Sequence, residues 1–211
     1  MTKIKYCGLT TEDDVKHAIE AGVDAVGFVF VPSSPRRVSV EVATNLISMA
    51  KASGLTTVAL FANQDADKVN LTIGQTKADV LQFHGEESAE YCEQFMLPYW
   101  KAIPMLSNAS YTEYMASHPN AAAYLLDAFD TQQSGGSGKS FNWFEFPIDL
   151  KQKMILAGGL NEQNIAAALA ATGSQYVDTS SGIESSPGVK SKAKMLSFAN
   201  TISAIDHNNK N

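Results

Sequence analysis

The sequence predicts an α/β fold, a (β/α)8 TIM barrel with a phosphate-binding site at the C-terminal ends of its strands. Three observations carry that expectation. Short apolar runs alternate with helical patterns along the whole chain, in eight units over 211 residues without a break. Several runs, such as Ala25 to Val31, are continuously apolar, as strands covered on both faces are. Glycine- and serine-rich turns follow the seventh and eighth runs, where such barrels often bind phosphate through backbone N–H groups. The length lies at the short end of the roughly 200–400 residues this fold occupies. A doubly wound open sheet is the competing architecture, and eight uninterrupted units disfavour it. No linker, low-complexity segment or second domain is visible, so residues 1–211 are expected to form a single barrel domain.

Each element has its own warrant. Ile4 to Cys7 reads as the first strand, and Thr10 or Thr11 caps a helix with Glu12, Asp13 and Asp14 in its first turn, ending near Gly22. The second strand, Ala25 to Val31, leads through the loop Pro32-Ser33-Ser34-Pro35-Arg36-Arg37 to a helix from about Ser39 to Lys51. Thr56 to Ala62 is strand-like and Asp65 to Gln75 helix-like; Val80 to Gly85 repeats the pattern, with Ser88 to Phe95 as its helix. Tyr99 to Ile103 and Ala122 to Asp127 are strands five and six, separated by a helix from about Ser110 to Ala116. The sixth helix is short or irregular around Trp143 to Phe146. Met154 to Gly159 is the seventh strand, followed by an alanine-rich helix that Asn161 caps. Tyr176 to Asp178 is the eighth, and a last helix spans about Ser191 to Ile205 before a frayed tail beyond His207.

Composition narrows the function. With 45% hydrophobic and 18% charged residues the chain reads as an ordinary soluble globular protein. A net charge of −6 offers no general attraction to nucleic acid or an anionic membrane, so any anionic ligand must be held by local groups. The longest apolar run, Ala25 to Pro32, falls short of the ~20 residues that cross a bilayer. Two cysteines make no disulfide framework, and no signal-type apolar segment opens the chain; a cytoplasmic protein is expected. Monomer and homodimer both remain open.

Active sites of this fold lie at strand C-termini, so the residues on which strands end form the candidate list. Gly158-Gly159 and Ser180-Ser181-Gly182 form a candidate phosphate cradle; each alone is ordinary turn chemistry. Cys7 ends the first strand, where a lowered pKa would make its thiolate a proton acceptor; taken alone it reads first as a small buried hydrophobe. Asp127 stops the apolar run Ala121 to Leu126 and could act as a general acid if its pKa were raised, or simply cap a turn. Arg36 offers a bidentate grip on a carboxylate, or is a solvated loop residue. His84 could bond a ligand or close its own strand, and Asp178 could accept from a substrate hydroxyl or hold its turn. Gly136-Ser137-Gly138-Lys139-Ser140 invites a nucleotide P-loop reading, but that motif needs glycine where Gln133 stands and a helix where Phe141-Asn142-Trp143 intervenes. No His, Cys or carboxylate cluster has metal-ligand spacing. Cys92, in a helical pattern, reads as structural, and His17, His118 and His207 as surface residues.

Taken together and in order, Lys5-Tyr6-Cys7-Gly8-Leu9-Thr10, Gly27-Phe28-Val29-Phe30 with Ser34-Pro35-Arg36, Gln82-Phe83-His84-Gly85-Glu86, Leu126-Asp127 with Gly135 to Lys139, Ala157-Gly158-Gly159-Leu160 and Val177 to Glu184 resemble phosphoribosylanthranilate isomerase over nearly the whole chain. Tyr6 stands where that family is expected to carry an aliphatic residue, and Asn142 where aspartate is common; neither position carries the chemistry. The resemblance implies an Amadori rearrangement of the small-molecule substrate N-(5-phosphoribosyl)anthranilate in tryptophan biosynthesis, without metal or cofactor. It implies Asp127 as general acid on the furanose ring oxygen and Cys7 as general base at C2′. Arg36 would hold the anthranilate carboxylate, and Gly159, Ser180, Ser181 and Gly182 the phosphate. The Gly135–Gly138 loop would shield the iminium from water. Indole-glycerol-phosphate synthase is the rival within the fold and should show catalytic lysines at strand ends; Lys5 and Lys101 are the only candidates inside strands. A non-catalytic sensor barrel would keep the phosphate cradle but has no use for both Cys7 and Asp127.

Overall fold

The structure, a computed structural model, describes residues 1–105, 110–127, 143 and 146–208. Eight parallel strands close into a barrel in sequence order: β1 (Lys3–Cys7), β2 (Ala25–Val29), β3 (Thr56–Phe61), β4 (Val80–Phe83), β5 (Tyr99–Pro104), β6 (Ala123–Asp127), β7 (Met154–Leu156) and β8 (Tyr176–Thr179). Between them lie α1 (Glu12–Glu20), α2 (Val40–Ala52), α3 (Ala66–Thr76), α4 (Ala89–Glu93), α5 (Tyr111–Ser117) and α6 (Ile165–Thr172). A small antiparallel hairpin, β9 (Glu184–Ser186) with β10 (Val189–Lys190), follows β8, and α7 (Lys192–Asn208) ends the described chain.

Local chemistry sets the boundaries. Thr11 and Asp14 form a reciprocal capping box at α1, and three acidic residues in its first turn complement the helix dipole. Ser39 and Ser88 accept the N–H groups of Val42 and Tyr91 at the starts of α2 and α4. The strands read from sequence all form, but β2 stops at Val29 and β7 at Leu156, before the residues that turn towards the site. Asn161 makes the capping bonds expected of it, its own N–H donating to Asn164 Oδ1 and its carbonyl accepting from Ile165 N–H, but ahead of the regular helix. Its carboxamide accepts from Gln163 and Asn164 N–H, a turn that delays the helix until Ile165.

Alternation along each strand divides the core in two. Ile4, Tyr6, Phe28, Leu81, Phe83 and Leu156 face the helices, whereas Val58, Val80, Trp100, Leu125 and Ile155 fill the barrel interior. Burying each such side chain contributes about 1.5–3 kcal/mol, so the lower interior is a packed floor and no pore. Closure is tied at both ends: Tyr6 donates its hydroxyl to Met195 O of α7 at 2.5 Å, and Thr2 donates through N and Oγ1 to the Asp206 carboxylate. His118, expected at the surface, is buried against the Tyr99 ring at the end of α5. Among the described residues no helix is long and apolar enough to cross a membrane.

Candidate active site

Above the apolar floor the barrel interior changes character. Lys5 is fully buried, paired in register with Asp178 across β1 and β8, and its Nζ lies 2.9 Å from Asp178 Oδ1. Lys5 Nζ and Asp178 Oδ1 both lack an aligned hydrogen-bond partner, so the contact is an ion pair whose angles fall outside those of a hydrogen bond. Cys7 stands one layer higher on the same strand, opposite Gly27 of β2. A methyl group at Gly27 would sit 2.9 Å from Cys7 Sγ and 3.1 Å from Lys5 Cε, so the missing side chain is the space in which both groups stand.

The protonation states follow from this packing. Burial pushes the Cys7 thiol above its ordinary value, and Asp178 adds to that; Lys5 and Lys190 pull the other way without cancelling it. The lowered pKa expected from the sequence is therefore corrected: the thiol is buried too deeply for backbone donors to decide the balance. Burial also pushes Asp178 up, against the pull of Lys5. For Lys5, burial favours the neutral amine, but Asp178 and Cys7 outweigh it and hold the ammonium above its usual range.

Asp127 ends β6 as expected. His84 Nε2 lies 3.3 Å from Asp127 Oδ2, and Gln82 Nε2 lies 3.2 Å from His84 Nδ1. With the Gln82 amide donating to Nδ1, the neutral ring carries its proton on Nε2 and directs it at the carboxylate. Gln82 is fully buried in the barrel, so β4 fixes the imidazole that faces β6.

Arg36 is no solvated loop residue. Its Nε and Nη2 donate to the two Glu184 oxygens at 2.7 and 2.8 Å, a bidentate clamp that leaves the guanidinium three further N–H groups. Gly8, in the left-handed region at φ +75°, runs directly beneath; a Cβ there would meet Arg36 Cδ at 2.7 Å. Lys190 from the hairpin also reaches Glu184, at 2.7 Å, and donates to Ser180 O and Oγ. Ser180 in turn donates to Cys7 O, so one continuous network joins the Arg36 loop to the end of β1.

The two glycine and serine turns meet. Gly158 and Gly159 both adopt positive φ, and the short 3-10 turn Ser181–Ile183 follows Ser180. A Cβ at Gly182 would lie 1.9 Å from Leu160 O, so only glycine allows the turn after β8 to lie on the turn after β7. Asn161 and Asn164 both donate to Gly159 O, which secures the first turn. The result is a concave run of backbone suited to a phosphate.

With this geometry in view, comparison with known proteins is decisive. The sequence model of N-(5'-phosphoribosyl)anthranilate isomerases matches residues 4–201. The chain belongs to that family. Curated members include those of Xanthomonas euvesicatoria, 40% identical over 97% of this chain and 95% of the relative, and Xylella fastidiosa, 41% identical over 97% and 93%. Among solved structures, the Thermus thermophilus isomerase superposes with a TM-score of 0.84 at 31% identity, covering 97% of this chain and all of that one. A phosphoribosylanthranilate isomerase solved in complex with reduced 1-(o-carboxyphenylamino)-1-deoxyribulose 5-phosphate gives 0.79 at 28% identity, over 97% and 100%. This chain is accordingly an isomerase of tryptophan biosynthesis with the family's closed barrel.

The structure gathers Cys7, Arg36, His84, Asp127, Asp178, Gly158, Gly159, Ser180, Ser181 and Gly182 at one end of the barrel. The Gly135–Gly138 loop and Asn142 lie outside the described residues. Sequence reasoning passed over Lys5, Gln82, Glu184 and Lys190 as site residues. Their signals were present: Lys5 and Gln82 interrupt apolar strands at interior positions, and Pro187-Gly188 marks the hairpin turn that delivers Lys190.

Proposed function

We propose that this isomerase converts N-(5-phosphoribosyl)anthranilate to 1-(2-carboxyphenylamino)-1-deoxyribulose 5-phosphate, with Asp127 as general acid and Cys7 as general base. The observation that carries the reading is the placement of acid and base at one mouth: Cys7 ends β1 beside the Asp178 strand, and Asp127 ends β6 with His84 Nε2 3.3 Å from its carboxylate.

The steps follow from the groups present. Asp127 donates a proton to the furanose ring oxygen; the C1′–O bond breaks and the anilinic nitrogen supplies the electrons, giving an iminium. His84, with Nε2 3.3 Å from Oδ2, would orient the carboxyl and stabilise the carboxylate that remains. The Cys7 thiolate takes the C2′ proton, and the C2′–H electrons close the enolamine. Ketonisation adds a proton at C1′ and removes one from the C2′ hydroxyl. The further Arg36 donors would grip the anthranilate carboxylate while Glu184 fixes the guanidinium plane. Gly158, Gly159 and the Ser180–Gly182 turn would hold the phosphate, leaving Asp178 to receive a sugar hydroxyl. The reaction needs no metal or cofactor. These site residues all lie on one barrel, which fits either a monomer or a homodimer, and two unpaired thiols fit a cytoplasmic setting.

The test is turnover of freshly generated substrate, followed by loss of its fluorescence, for wild type, Cys7→Ser and Asp127→Asn. Each variant should be slower by ~100-fold or more. Folded variants with full activity would move the chemistry to other residues, and binding without turnover by the wild type would favour a sensor.

A further inference from the structure

We propose that Lys5 is the positioning residue of the base: its side chain, anchored by Asp178, ends beside the space shared with Cys7 Sγ, and its charge favours the thiolate against the cost of burial. This rests on Cys7 being the base, and adds which group makes it one.

Three observations support it. The first is placement. Lys5 occupies an interior position one layer below Cys7 on the same strand, fully buried, where neighbouring strands carry Val58, Trp100 and Leu125. A methionine would fill that volume without the penalty of burying a charge. The second is what the ammonium has for partners. Lys5 Nζ lies 2.9 Å from Asp178 Oδ1, and Asp178 and Cys7 are the two groups that favour its charge. Lys190, the other cation acting on Cys7, is instead consumed by Ser180 O, Ser180 Oγ and Glu184 Oε1. The third is Gly27, whose missing side chain leaves Sγ and the end of Lys5 adjoining the same space.

The charges around Cys7 are these. Lys5 on β1 and Lys190 on β10 favour the thiolate, and Asp178 on β8 opposes it; Gly27 on β2 brings none. Asp127 on β6 and His84 on β4 act on Asp178, and Glu184 and Arg36 act on Lys190. When the thiolate takes the C2′ proton, that proton goes to Sγ, and Lys5 keeps its own throughout.

The test is the pH at which Cys7 is half-alkylated by iodoacetamide, read from the Cys7 peptide by mass spectrometry in Lys5→Met and Asp178→Asn. Lys5→Met should raise that midpoint by about one pH unit or more, and Asp178→Asn should lower it. In Lys5→Met, kcat at neutral pH should fall about tenfold and recover as the pH rises, with KM within a few-fold. A purely structural lysine would move neither midpoint, and an unchanged midpoint, or shifts in the same direction, overturns the proposal. If Lys5→Met does not fold, Lys5→Gln decides in its place: an upward shift of the midpoint supports the proposal, and no shift or a downward one overturns it, since Asp178 acts on Cys7 directly and its removal alone would not report on Lys5. The alkylation midpoint reads the Lys5–Cys7 coupling whether or not Cys7 is the base, whereas Cys7→Ser turnover tests the base assignment itself.

Discussion

The barrel wall buries a lysine–carboxylate pair on each of its sides, and the two are completed differently. Lys101 shares the helix-facing side of β5 with Tyr99 and Ile103, and its Nζ lies 3.1 Å from Glu87 Oε2. Glu87 also accepts the N–H groups of Asn63 and Gly85, and Lys101 donates to Gly85 O. Both ions are thus bound into backbone, and the pair pins the β3–α3 loop to the turn just after His84. On the inner side, Lys5 and Asp178 touch without aligned bonds. A pair with its hydrogen bonds filled organises backbone. One that faces the barrel interior, held through side chains, remains able to respond to a neighbouring thiol.

The sharpest way to break this comparison is to remove one lysine at a time and measure unfolding in urea. Lys101→Met strands Glu87 among backbone donors that need its charge, and should cost about 3–5 kcal/mol. Lys5→Met should cost less, about 1–3 kcal/mol, because Asp178, already pushed towards protonation by burial, can take up a proton. Equal losses would mean that the two pairs do the same work. A smaller effect separates the third buried cluster. Glu184→Gln removes the charge shared by Arg36 and Lys190 and should cost about 1–3 kcal/mol at neutral pH.

Its pH dependence has a definite sign. Burial opposes the Glu184 charge, but Arg36 and Lys190 outweigh burial and hold the carboxyl below its ordinary value of 4.5. Glu184 therefore contributes stability above that value, lost as the pH falls through the lower folded pKa, and the variant's urea midpoint should be flatter with pH in that acid window. The smallest effect concerns His118. Burial first, and then Lys101, depress its pKa below 6.5, so it contributes stability above 6.5 that is lost as the pH falls through the folded value. His118→Phe should flatten the stability profile just below pH 6.5, the least of these effects.

What was legible in the sequence follows the same division. Ala25 to Val29 and Leu125-Leu126 announced themselves because strands covered on both faces must be apolar throughout, and Cys7 and Asp127 because they end such runs. The lysines were harder. Lys5 lies between Ile4 and Tyr6, and a charge in a strand reads as solvent-facing until closure turns that face inward. Glu184 and Lys190 find each other across a six-residue separation, yet the second donor to Glu184, Arg36, is 148 residues away. No local pattern encodes that contact. His118 misled because histidine at the end of a short helix is ordinary surface chemistry; only the Tyr99 ring shows otherwise.

The tie between the two ends of the barrel also sets an order of assembly. Cys7 and Lys5 lie on the first strand, while Asp178, Ser180 and Lys190, which also act on or bond to Cys7, come from the last strand and the hairpin beyond. Tyr6 is likewise secured only when α7 is in place, 189 residues later. Contacts so distant in sequence form slowly, because the entropy of closing the chain is lost before they compensate it. During synthesis β1 must therefore wait with one edge unpaired until the ribosome has delivered β8, so the thiol meets Asp178 and Lys190 last of all. An isomerase built this way is inactive as a nascent chain until nearly the whole barrel has emerged.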